Sequence, residues 1–208
     1  MSETQDIYTE RDDVDPITLN NLGPLTALAG IWEGTGSDLH PVAEGEEREG
    51  YIERMELHPI DPQSNGPQVL YGLRYRIHIT KIGETETFHD QVGYWLWEPA
   101  TKTVMQTLSI PRAQIALAGG HAEPDARTLT VKATLGSPQF GICSGPFLDE
   151  NFKTLSYSIT IAMHDAGTFS YESDTVLQMP GREAFHHTDR NTLRKIGEPR
   201  PNPRAAAL

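Results

Sequence analysis

The chain has 208 residues and a formal net charge of −12, with a pI near 5.0. That acidity excludes the basic stripe that nucleic-acid binding requires and disfavours an anionic membrane surface. A single cysteine, Cys143, excludes an internal disulfide framework and fits a reducing compartment.

The first residues are acidic and lack the apolar core of a signal peptide. No apolar run approaches the roughly 20 residues of a membrane span, so a cytoplasmic protein is expected. Residues 1–16 carry no apolar period and read as a flexible tail. From residue 17 to 29, leucines stand at 19, 22, 25 and 28, a spacing of three. That spacing predicts one short helix, or two helical turns broken near Gly23-Pro24, plugging a barrel end.

Strand signals follow. Residues 30–36 alternate apolar and polar side chains with interspersed glycines. The acidic run 44–49 reads as a solvated turn, residues 51–57 as a strand, and 61–67 as a turn by composition. Residues 69–79 show the clearest period of two: odd positions are apolar or aromatic, whereas Arg74, Arg76 and His78 are basic. One face is therefore buried and the other solvated, as in an antiparallel sheet. Residues 85–97 and 103–110 form a hairpin across the turn at 98–102. Ile110-Pro111-Arg112 interrupts before residues 113–118 resume, because proline donates no ladder hydrogen bond. Residues 127–133, 154–162, 168–177 and 183–196 complete the strands. Residues 136–151 read as an inserted loop, and 198–208 as a second flexible tail. The expected fold is all-β: an up-and-down antiparallel barrel of about ten strands over residues 17–197, with a short N-terminal helix.

No common nucleophile motif, phosphate loop or Cys-x-x-Cys is present, and Cys143 reads as an unreactive thiol. The histidines, at 40, 58, 78, 89, 121, 164, 186 and 187, lack zinc spacing. His78 falls on a charged strand face, and His58 and His121 fall at turns. His89 can face in or out. His186 and His187 are adjacent on the last strand, so one faces in and the other out. The inward one is either a hydrogen-bonded core side chain or a ligand to something bound inside.

Gly30-Ile31-Trp32-Glu33-Gly34-Thr35-Gly36, followed by His40-Pro41, resembles the Gly-x-Trp-x-Gly-x-Gly signature of the nitrobindin family. Phe88-His89-Asp90-Gln91-Val92-Gly93-Tyr94-Trp95 and Gly167-Thr168-Phe169-Ser170-Tyr171 are similar to two further stretches of that family, in the same order. The resemblance spans residues 22–196. It implies a fatty-acid-binding-protein-like or lipocalin-like barrel holding ferric heme b near one mouth, with one axial histidine on the last strand. Nitric oxide or peroxynitrite would meet the open face of the iron, and peroxynitrite isomerisation would follow only with heme bound.

The family histidine corresponds to Thr188 here. Strand parity favours His186, which shares a face with Thr188; closeness to that position favours His187 if a bulge shifts the register. His40, Val42 (where the family has threonine) and Trp32 complete the expected cofactor contacts. The alternative is a heme-free carrier of a small apolar ligand, with Arg112 rather than Arg74 or Arg76 meeting a carboxylate. A homodimer is a further expectation.

Overall fold

The structure, a computed structural model, describes residues 6–207; residues 1–5 of the expected N-terminal tail lie outside it. Its strands are β1 (Gly30–Val42), β2 (Gly45–Pro59), β3 (Gln63–Asn65), β4 (Gln68–Lys81), β5 (Thr87–Glu98), β6 (Thr103–Ile110), β7 (Gln114–His121), β8 (Thr128–Thr134), β9 (Ile142–Ser144), β10 (Lys153–Asp165), β11 (Thr168–Gln178) and β12 (Phe185–Gly197). Ten of them form a closed antiparallel barrel in the order β2-β1-β12-β11-β10-β8-β7-β6-β5-β4, shut by pairing of β2 with β4. β3 and β9 are short extras on β4 and β7. Barrel neighbours follow one another in sequence, apart from those two insertions and the pairing of β1 with β12, the first and last strands. Closure removes the exposed edges that an open sheet would present.

Several stretches differ from the expectation. β1 runs to Val42, and β2 begins at Gly45, so Glu46–Glu49 form a paired, largely exposed strand rather than a loose turn. Charged side chains tolerate strand geometry there because both faces of the hairpin tip are wet. The presumed loop at 136–151 contains β9 and a helix, α1 (Pro146–Asn151). β7 and β8 share a single register pair, Gly119 with Lys132, and β9 covers the start of β7 beside that gap.

The leucine spacing of three has a geometric cause. Thr18–Asn20 and Gly23–Leu28 are 3₁₀ helices, in which residues three apart eclipse one another. Leu22, Leu25 and Leu28 are therefore stacked on one side and fully buried, closing one barrel end. The break falls at Asn21-Leu22, and Pro24 lies in the first turn of the second helix, where its missing N–H costs nothing. Gly23 has φ +54, and a Cβ there would stand 2.5 Å from Trp97 Nε1. Trp32 donates its indole N–H to Leu28 O at 2.9 Å and meets Phe169 edge-on, with ring centroids 4.8 Å apart. This aromatic layer ties the plug to the barrel wall.

The C-terminal segment returns to the plugged end. Asn202, almost fully buried, accepts from Thr18 N–H and donates to Pro16 O and Asp61 Oδ1. A short helix, α2 (Pro203–Ala206), follows. No described helix is long and apolar enough to cross a membrane.

Candidate functional site

Away from the plug, the barrel encloses a cavity of about 430 Å³. Its apolar wall comes from alternate residues of the strands, including Met55, Leu57, Ile77, Trp95, Leu108 and Ile159. At the mouth, α1 contributes Phe147 and Leu148, with Phe152 just beyond the helix. Phe147 is 65% exposed although it lines the cavity, so the helix lies over the opening rather than inside it. Arg112, in the β6–β7 turn, is the sole lysine or arginine of the lining. It has no salt-bridge partner among the described residues. A more open depression of about 750 Å³, edged by Arg74, Tyr94, Ile115 and Cys143, lies on the outer face of β5–β7.

One side of the mouth is polar, and its arrangement follows from strand parity. On β12, Asn191 and Leu193 are buried. Asp189 and His187, two and four residues before Asn191, share their face and line the cavity. His186 points out, 64% exposed, with Nδ1 2.9 Å from Asp174 Oδ2. The register of β11 with β12 runs from Leu177↔Phe185 to Thr168↔Arg194 without a shift, so no bulge intervenes. The parity argument for His186 is thus corrected: Thr188 belongs to the outer face, and His187 is the histidine inside.

On β1, Asp38 stands directly opposite Asp189. The face occupied by Trp32, Gly34 and Gly36 continues as Asp38 and His40. Asp38 is only 2% exposed. Its Oδ2 receives a hydrogen bond from His40 Nδ1 at 2.8 Å. Its Oδ1 is 2.8 Å from His187 Nε2, at ion-pair distance but without an aligned hydrogen-bond donor. Asp189 Oδ2 lies 3.5 Å from the same His187 nitrogen.

The electrostatics follow from this crowding. Burial disfavours the charged His187 ring most strongly, yet Asp189 and Asp38 together outweigh it and push its pKa up to about 10. Burial likewise works against the Asp38 carboxylate, but His187 and His40 hold it below the ordinary value. At neutral pH, His187 is therefore an imidazolium held between two carboxylates. His89 also lines the cavity; burial lowers its pKa, while Gln91, with Oε1 3.4 Å from Nε2, opposes that shift.

Deeper in the barrel lies a second polar group. Glu53, fully buried, accepts at Oε2 from Tyr171 O–H and Asn191 N–H, both at 2.8 Å. Tyr51 and Tyr171 hydroxyls are 2.9 Å apart. Burial is the main cause raising Glu53 to about 7, against the lowering effect of those hydrogen bonds.

Of the residues singled out from sequence, His187, His40, His89 and Arg112 meet at the cavity. Trp32 is buried against the plug, and Val42 sits at the rim, its carbonyl accepting from Arg182; neither lines the cavity. Asp38 and Asp189 were missed. Continuing the β1 alternation two residues beyond Gly36, and counting inward from Leu193 on β12, would have found both.

The arrangement bears on heme. The wall suits an apolar macrocycle, and Arg112 suits its carboxylates. The imidazole does not suit heme iron: an axial ligand must present a free ring nitrogen to the metal of the macrocycle, and His187 Nε2 lies against the Asp38 and Asp189 carboxylates instead.

Comparison with known proteins agrees on the fold. The crystal structure of Rv2717c from M. tuberculosis superposes with a TM-score of 0.59 at 17% identity, covering 88% of this chain and 99% of that one. No curated protein sequence matches the chain. The model of the THAP4-like, heme-binding β-barrel domain matches residues 21–195. With its closed barrel, capped end and enclosed cavity, the chain belongs to that heme-binding β-barrel domain family.

Proposed function

We propose that this protein is a binding barrel whose cavity takes one apolar guest bearing an acidic group. The observation that carries the reading is the cavity itself: about 430 Å³ of mainly apolar wall, with Arg112 at its edge as a cation that has no salt-bridge partner among the described residues. That volume lies in the usual range for small-molecule sites, roughly 300–1,000 Å³. The guest's apolar body would displace water from the wall. Its acid would meet the Arg112 guanidinium, whose fork accommodates two carboxylate oxygens.

Heme b is an apolar macrocycle with two carboxylates, so it falls within this class, and family membership favours it. Ferric heme would supply a Lewis-acidic redox centre for nitric oxide or peroxynitrite. The chain's own contribution in that case is the wall and Arg112. His187 contributes no iron bond while Asp38 and Asp189 occupy its Nε2. The single free cysteine is consistent with a cytoplasmic setting.

The test is displacement of anilinonaphthalene sulfonate, an apolar acidic dye, by long-chain fatty acids and by hemin. Saturable binding of one dye per chain, weakened about tenfold or more by Arg112→Gln, is expected. Absence of saturable dye binding, or binding indifferent to Arg112→Gln, would overturn the reading.

A further inference from the structure

We propose that Asp38, His187 and Asp189 form a site for one divalent transition-metal ion at the cavity mouth. Each residue offers one ligand atom, and the three atoms lie within 4.8 Å of one another. The arrangement is built into the sheet: Asp38 and Asp189 are cross-strand partners on β1 and β12, and His187 precedes Asp189 by two on the same face. No loop has to move to bring the atoms together.

A second observation separates this site from an ordinary acidic cluster. Asp38 is 2% exposed and lines the cavity, yet its Oδ1 has no hydrogen-bond donor aligned to it. Burying a carboxylate oxygen without an aligned donor is costly; a divalent cation among Oδ1, Asp189 and His187 would coordinate that oxygen directly, replacing the proton of the His187–Asp38 ion pair, which is released to solvent. The other Asp38 oxygen is held by His40 Nδ1 at 2.8 Å. Such outer contacts orient ligating groups and tune the metal they hold.

The donor set narrows the ion. Imidazole nitrogen with carboxylate oxygen suits zinc, iron(II), cobalt or manganese, and the absence of thiolate disfavours soft ions. Three protein ligands leave coordination positions open, as in catalytic rather than structural metal sites. Those positions would face the cavity, where a guest or water could occupy them. The inference goes beyond guest binding, which rests on the apolar wall and Arg112.

The test uses the full chain, stripped with chelator, without added hemin or lipid. Titration with Co²⁺ is followed by visible absorption, and Zn²⁺ and Mn²⁺ by calorimetry. One saturable equivalent per chain is expected for at least one of these ions. His187→Gln and Asp189→Asn should abolish that equivalent. His40→Asn, a change at a positioning residue that contacts Asp38, should weaken it by about 10–100-fold. His186→Ala, on the outer face, should leave it intact. Circular dichroism of each variant separates loss of binding from loss of fold, and Asp189, at the partly exposed mouth, is the substitution least disruptive to the barrel. No saturable binding of any of the three ions would overturn the proposal. So would an equivalent that survives both His187→Gln and Asp189→Asn. Dye binding measured on the same metal-free samples reports on the guest cavity separately.

Discussion

Replacing Asp38 by asparagine would remove one of the two charges that hold His187 protonated. The side chain keeps its shape, and its Oδ can still accept from His40, so the change is chiefly electrostatic. Raising His187 from its ordinary 6.5 to about 10 corresponds to roughly 5 kcal/mol of linked stability as an upper limit. Asp189 remains, and the ring is partly solvated, so the share lost with Asp38 is about 1–3 kcal/mol at pH 7. The sign follows from the raised pKa. Stability from the clamped imidazolium is complete below pH 6.5 and drains away as pH rises toward 10. The contribution of Asp38 has the opposite sense, because its pKa is depressed: it is present above the ordinary carboxylate range and lost in acid. Wild type should therefore lose stability between pH 7 and 10, and Asp38→Asn should lose less over the same interval. Urea denaturation followed by tryptophan fluorescence, with NMR titration of the His187 ring, measures both. A wild-type His187 that titrates near 6.5, or a stability difference equal at pH 6 and pH 10, would refute the clamp.

Glu53→Gln tests the buried acid. Glu53 rises to about 7, so its ionisation weakens the fold as pH climbs from about 4.5 through 7; the variant should match wild type at pH 4.5 and exceed it by up to roughly 3 kcal/mol at pH 8. Denaturant melts at the two pH values check this, and an unchanged or reversed difference would exclude it. Gly23→Ala forces a side chain into φ +54 and against the Trp97 ring, so a loss of about 2–4 kcal/mol is expected, visible as a lowered thermal midpoint. A midpoint within a degree of wild type would contradict the packing described for the plug.

Much of the barrel was legible because its strands carry the period of two. In β4, the odd positions Tyr71, Leu73, Tyr75 and Ile79 are buried, whereas Arg74 and Arg76 are exposed. The leucines at 22, 25 and 28 announced the plug, although a spacing of three says 3₁₀ more than α. The β1–β2 tip was obscured because Glu46, Glu47 and Glu49 carry no apolar alternation; strand pairing there comes from hairpin continuity rather than burial. β9 was hidden for a related reason. It is three residues long and defined by a partner, β7, some 30 positions away in sequence. The polar side of the mouth turned on one parity choice. Anchoring the last strand to Thr188 placed His186 inside, whereas anchoring it to Leu193, fully buried, places His187, Asp189 and Asn191 there. Asp38 was overlooked because the signature at residues 30–36 ends two residues before it, while the strand continues.

The most direct test of the account is a hemin titration of wild type, His187→Ala and Arg112→Gln, recorded at the Soret band. If the cavity receives an apolar acid through its wall and Arg112, hemin should bind saturably, Arg112→Gln should weaken it, and His187→Ala should leave both band position and affinity unchanged. Loss of the Soret band in His187→Ala with Arg112→Gln unaffected would contradict the account and make the clamped histidine an iron ligand after all.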